Sequence, residues 1–171
     1  MVVCFVRSEK RRRHMGNRVL LALDNSKGAL KAVKYVAKNL NRDATLTLFS
    51  VLPEATDACG LDGPSLTPLF RQNIKTFCTI DEAKKAAVQG FMEEAKKTLV
   101  RAGFPSKNVS IKIRKKRLEI ARDILKEAEL RKYDTIVLGR RGLTGVKKFF
   151  SGSVTNKVFQ SSHEIAVIVV G

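Results

Sequence analysis

The chain has 171 residues, 44% of them apolar, and its 33 Lys and Arg against 16 acids give a net charge of +17. That length supports one domain with a full core, and three cysteines (Cys4, Cys59, Cys78) with no CxxC pair and no histidine at ligand spacing argue against a disulfide framework or a structural zinc site. The positive charge alone points toward nucleic acid, but aromatics are only 6% and tryptophan is absent, so base stacking lacks its usual platform.

The chain opens on six apolar residues, MVVCFV, followed by a basic run, an arrangement too short and wrongly ordered for a signal peptide or a membrane span. Residues 1–16 are expected to be a basic, flexible extension, and residues 17–171 a single domain in the cytoplasm with reduced thiols. Residues 18–24 (RVLLALD) read as a buried parallel strand ending at an acid. The spacing of Leu30, Val33, Ala37 and Leu40 predicts a helix over 26–40, with Asp24, Asn25 and Ser26 as candidate caps. A strand over 44–52 follows, stopped by Pro53.

Residues 53–80 hold three of the four prolines and no sustained periodicity, which predicts a long variable loop with one helical turn near 69–74. Ala87, Phe91, Ala95 and Leu99 set the stripe of a helix over 81–102, ended by Gly103 and Pro105. Then come a strand over 109–113, a helix over 118–131, a strand over 133–138, a helix over 153–161 and a last strand over 164–170. His14 and His163 lie far apart, with no partner at a catalytic spacing.

Buried strands alternating with amphipathic helices describe an α/β fold: a single open parallel sheet with helices on both faces. Such sheets bind ligands beyond the carboxyl ends of their strands, where the winding direction reverses. Two strand ends carry unusual chemistry, Asp24 and Gly139. If those strands are neighbours, one pocket collects an acid, a glycine loop and a helix start.

The loop is residues 139–155, GRRGLTGVKKFFSGSVT, with the spacing G-x2-G-x9-G-S from Gly139 through Gly142 to Gly152 and Ser153. Glycine lets backbone approach an oxyanion closely, and a helix start presents N–H groups with partial positive charge. The pattern is neither GxGxxG nor GxxxxGK[ST], and glycines after a strand by themselves also suit an ordinary turn. Arg140, Arg141 and Lys147 add positive charge to the loop; each alone reads as a solvated surface residue.

This motif, with Asp24-Asn25-Ser26 after the first strand and the strand 133–139, resembles the ATP-binding subset of the universal stress protein family, over about residue 17 to the end. The resemblance implies an adenine nucleotide alpha hydrolase-like fold, a five-stranded parallel sheet in the order 3-2-1-4-5. It implies that Ala22, Leu23, Asp24 and Val51 border adenine and ribose. Leu138, Gly139 and Gly142 would line ribose and inner phosphates, and Gly152, Ser153, Val154 and Thr155 would hold the outer phosphates. ATP is the expected ligand, with AMP or ADP as alternatives and Mg accompanying ATP. No catalytic residue and no protein metal site are identified, so at most slow hydrolysis is expected.

The sequence departs from the family pattern at Leu23, where a small polar residue is common, and at 114–117, where a run of four basic residues replaces a glycine-containing turn. It also has an alanine in the last strand where relatives often carry proline. The resemblance further implies a homodimer paired through the strand 164–170 and an unidentified protein partner whose binding depends on nucleotide. The alternative is a basic-surface module for nucleic acid or another polyanion, in which the glycine loop is only structural and affinity falls steeply with salt.

Overall fold

The computed structural model describes residues 2–5, 18–52, 68–140 and 152–171, with side chains described from residue 18 onward except over 68–81. Its elements in chain order are β1 (Val2–Phe5), β2 (Arg18–Ala22), α1 (Lys27–Asn39), β3 (Thr45–Leu52), α2 (Pro68–Arg101), β4 (Val109–Lys115), α3 (Ile120–Leu130), β5 (Thr135–Gly139), α4 (Ser153–Ser161) and β6 (Ala166–Val170). All six strands join one sheet in the order β1-β6-β5-β2-β3-β4. The five strands from β2 onward are parallel. Counted from β2 as the first, their order is 3-2-1-4-5, as the family resemblance implied.

Alternation along the strands divides the core between two faces. Val19, Leu21, Leu46, Leu48 and Val137 pack with Ala29, Val33 and Val36 of α1 and Met92, Ala95 and Leu99 of α2. Leu20, Phe49, Ile136, Leu138 and Val167 pack with Ala121, Ile124 and Leu125 of α3 and Val158 of α4. Across β3 and β4 on the second face, the Tyr133 hydroxyl donates to Thr47 Oγ1 at 2.8 Å. Glu127 of α3, buried there, accepts from Lys112 Nζ at 2.5 Å and faces Arg114 Nη1 at 3.3 Å.

Two helix ends show why the chain reverses where it does. After α2, Gly103 at φ 100° lets its own N–H reach Val100 O at 3.0 Å and Phe104 N–H reach Leu99 O at 3.2 Å. Those bonds close a left-handed cap, and the buried Phe104 and Leu99 supply its apolar contact. α3 ends in the same bonds, Lys132 N–H to Glu129 O and Tyr133 N–H to Ala128 O, but with Lys132 at φ 53° in place of glycine.

Three features differ from the sequence expectations. The apolar face of α1 is turned by about one residue: Ala29, Ala32, Val33 and Val36 are buried whereas Leu30 is 41% exposed. The small residues face the sheet because the helix lies close to it, as the contact at Gly28 described below shows. The loop expected to run to residue 80 ends by 67, and α2 is a single helix of 34 residues. The prolines that suggested a loop all precede Leu69, and the last of them, Pro68, occupies the first helical position, where a missing N–H costs nothing. Ala87, placed on the core stripe of α2, is exposed, and Val88 takes its role.

The third difference lies in the amino-terminal extension, expected to be flexible throughout. Its Val2–Phe5 segment pairs antiparallel with β6, Val2 opposite Val170 and Phe5 opposite Val167. β1 thus lies along the outer edge of β6 over Val167–Val170.

Candidate functional site

The winding direction reverses between β2 and β5, which pair in parallel with Ala22 opposite Leu138. The chain leaves β2 through Leu23, whose N–H donates to Phe49 O at 2.8 Å, and reaches the half-buried Asp24. Ser26 then caps α1, its Oγ accepting from Ala29 N–H at 3.1 Å. β5 ends next door at Gly139, and two helices meet it there.

The first is α1. A Cβ built on Gly139 would lie 2.4 Å from the backbone carbon of Gly28 and 2.6 Å from its oxygen. Gly139 therefore lacks a side chain because α1 starts against it. The second is α4. Thr155, buried at 5% exposure, donates its hydroxyl to Gly139 O at 2.9 Å, and Gly152 N–H donates to Arg140 O at 2.7 Å. Arg140 N–H in turn donates to Val170 O at 2.7 Å, extending the sheet one residue past β5.

These bonds hold the amino end of α4 over the carboxyl end of β5. Gly152, its cap residue, has no side chain to satisfy the first turn, so the N–H groups of Ser153, Val154 and Thr155 receive no cap from it. Neither α4 nor α1 carries an acid in its first turn. The positive ends of both helix dipoles are thus not neutralised by their own residues, which favours an anion there. Ser153 and Arg140 are exposed beside this end.

An apolar wall adjoins it on the face covered by α3 and α4. Ala22, Val51 and Val154, all half-buried, pack with the buried Leu138 in one cluster, and Ile120 at the start of α3 joins them. Leu23 points the other way, into the core beside α1. Its side chain does not belong to this wall, and only its backbone faces the β2 end. Of the residues singled out from sequence, Ala22, Asp24, Val51, Leu138, Gly139, Arg140, Gly152, Ser153, Val154 and Thr155 gather at one end of the sheet. Arg141, Gly142 and Lys147 lie outside the described residues.

Two contributors were missed. Gly28 sits in the first turn of α1, and a glycine inside a helix that gains no flexibility there is the signal that could have marked it. Ile120 falls one residue after Glu119, the cap position of α3. Glu119 is ion-paired with Lys157 of α4, and that lysine's hydrogen bond holds its carboxyl below the ordinary 4.5. The pair fastens α3 to α4 on the wall side of the site. Among the described residues, no cluster of three His, Cys, Asp or Glu could hold a metal ion. No described helix is long and apolar enough to cross a membrane.

A parallel sheet in this order, with a glycine-bounded helix start at its switch point, is an open α/β architecture, and comparison with known sequences identifies its family. The sequence model of the universal stress protein family matches residues 15–171. The universal stress protein YxiE of Bacillus subtilis is 31% identical over 153 residues, covering 86% of this chain and 95% of that protein. The chain belongs to the universal stress protein family.

Solved structures show the same fold. The protein MJ0577, the subject of a structure-based assignment of biochemical function, superposes with a TM-score of 0.69 at 26% identity, covering 91% of this chain and 96% of its own. UspA from Lactobacillus plantarum superposes with a TM-score of 0.67 at 20% identity, covering 90% and 97%. A universal stress protein from Archaeoglobus fulgidus, solved in complex with dAMP, gives 0.54 at 15% identity, covering 90% and 97%. Another universal stress protein was solved in complex with cAMP, with a TM-score of 0.53 at 18% identity, covering 90% and 94%.

Proposed function

We propose that this protein binds ATP or a related adenine nucleotide at the β2/β5 switch point and acts in the cytoplasm as a regulatory protein. Nucleotide occupancy would alter a surface offered to a protein partner. The observation that carries this reading is the uncapped start of α4, fastened by Thr155 and Gly152 to the end of β5 beside Asp24. Three backbone N–H groups aimed from one turn suit a phosphate. The wall of Ala22, Val51, Leu138 and Val154 suits a purine face, and Asp24 suits a sugar hydroxyl or an exocyclic amine. The dAMP and cAMP complexes of relatives with this fold support the same ligand class.

The residues fit a nucleotide better than a metal centre. Any Mg would arrive with the triphosphate and be held by its oxygens rather than by a protein cage, since the described residues lack a carboxylate cluster. Catalysis is not part of the proposal, because Asp24 is given to the sugar end and no other described acid or histidine at the site has been assigned to activate water.

The test is equilibrium titration with ATP and AMP of the wild-type protein and of Ser153→Asp. An acid at the first helical position favours the helix while its charge opposes a phosphate. The expected result is saturable binding by the wild type, weakened about tenfold or more in the variant, consistent with loss of a charge-assisted contact, with the thermal midpoint kept. Equal affinity for both proteins would remove the assignment of α4 to the phosphates. A polyanion-binding module would instead lose affinity steeply with salt and would not be displaced from RNA by ATP.

A further inference from the structure

We infer that the outer edge of β4 is a docking strand for an extended acidic segment of a partner protein, which adds to the sheet as a further strand. The inference names a surface for the partner invoked above, but it rests on register and charge and holds with or without nucleotide. β1 and β4 are the outermost strands of the sheet, and among the described residues β4 pairs with β3 alone. Its sequence, Val-Ser-Ile-Lys-Ile-Arg-Lys, includes no proline and no acid. Just past it, Lys116 N–H donates to Leu52 O at 2.7 Å, and Leu52 lies opposite Lys115. Backbone groups alternate sides along a strand, so Lys112, Arg114 and Lys116 turn theirs toward β3, whereas Ile111, Ile113 and Lys115 turn theirs outward. Such a row is what an incoming strand pairs with.

The side chains specify the occupant. Ile111 and Ile113 are half-buried against the core on the α2 side, so apolar residues at alternate positions of an added strand would extend that core. Lys112 and Arg114 lie on the opposite face, beside α3. They share one counter-ion, the carboxylate of Glu127: Lys112 donates to Oε1, whereas Arg114 stands 3.3 Å from Oε2, an oxygen that accepts no hydrogen bond among the described residues. Two cations against one acid leave a net positive charge, and the Arg114 side chain is 40% exposed. From Lys107 to Arg117 the chain carries six basic residues and no acid. A second copy of β4 would bring like charges together, which disfavours self-pairing, whereas alternating acidic and apolar residues match both faces. Nucleic acid would answer the charge but makes no use of a row of peptide groups, and β4 has no aromatic residue on which a base could stack.

The test is fluorescence anisotropy titration of the full chain with a capped, labelled peptide of alternating Glu and Val, beside its Lys and Val counterpart. The acidic peptide should bind saturably, and the basic one about tenfold or more weakly. Two further acidic peptides, N-methylated on every Glu or on every Val, separate strand pairing from charge attraction. Only one of these sets of N–H groups can face β4, so one version should lose about tenfold or more in affinity and the other should keep it. Residue-resolved amide exchange in the complex should show new protection at Ile111, Ile113 and Lys115, with little change at Lys112 and Arg114, which already face β3. Lys115→Pro removes one outward N–H and leaves the β3 ladder intact; it should bind the acidic peptide several-fold more weakly than Lys115→Gln. No saturable binding of the acidic peptide, equal binding by its two methylated versions, or no new protection at Ile111 and Ile113 would overturn the inference. So would an edge that takes inorganic polyphosphate but not the acidic peptide.

Discussion

At Gly139 two uses of a glycine compete, and the coordinates assign the residue to one of them. The sequence context of a loop after a strand suggested close approach by a phosphate, but the nearest group is the Gly28 backbone of α1, so the missing Cβ makes room for a helix. Gly139→Ala should therefore destabilise the protein by about 1–3 kcal/mol through overpacking, whether or not nucleotide is present. Urea unfolding with and without ATP checks this; a wild-type midpoint in the variant would show that α1 can retreat freely. The opposite sign is expected at Lys132, which holds a left-handed conformation at φ 53° in the cap after α3. Lys132→Gly should stabilise by about 1 kcal/mol, since glycine adopts that conformation without the Cβ clash, and the same unfolding experiment measures it.

Single residues were the least legible scale. Asp24 and the pair Gly152 and Ser153 could be placed because they follow a strand and open a helix, positions that the apolar pattern marks. Gly28 could not, because its partner is more than a hundred residues away and no local pattern announces a glycine-to-glycine contact. The resemblance implies a phosphate contact for Thr155, and the structure shows its hydroxyl joined to Gly139 O. A hydroxyl at the third helical position suits either task, and only tertiary contact decides between them.

Among the elements, α4 carries the proposal and α3 braces it. Thr155→Val keeps the shape of the side chain and removes the bond that ties α4 to β5. The expected cost is about 1 kcal/mol of stability, with a several-fold weaker affinity for ATP, read by calorimetric titration. Wild-type affinity in that variant would mean that the α4 start is held by other contacts. The Glu119 and Lys157 pair that joins the two helices has a pH signature. Because the carboxyl is held below its ordinary 4.5 in the folded state, its contribution is present above that pH and is lost as pH falls through the lowered value. The difference in thermal midpoint between wild type and Glu119→Gln should thus be present at neutral pH and close on acidification. A gap that widens with acid would contradict the assignment.

Helix and strand identity was legible because buried strands and amphipathic helices leave strong periodic patterns, and α4 begins and ends where the sequence placed it. Faces were less so. In α1 a large Leu30 outweighs the alanines in any hydrophobicity pattern, yet close packing to the sheet admits only the small residues. The sequence suggests a shorter α2 because prolines signal a break, whereas the last of them, Pro68, starts the helix.

For the whole molecule, the order of strands is what makes a site. Parallel strands wound outward from β2 leave one reversal, and Asp24, Gly139 and the α4 start are brought to it from stretches of chain more than a hundred residues apart. The alternation of strands and helices implied an open parallel sheet, whereas the strand order came through family resemblance and β1 at its edge came only with the coordinates. A four-residue strand ahead of a basic run has too little pattern to be recognised, and its pairing depends on a strand at the far end of the sequence.

The central claim is that this sheet end holds an adenine nucleotide, and mass spectrometry of small molecules released from the purified full-length protein tests it most directly. An adenine nucleotide is expected in the wild-type release, depleted in the release from Ser153→Asp. Release of no adenine nucleotide, together with no saturable uptake when millimolar ATP is supplied, would contradict it.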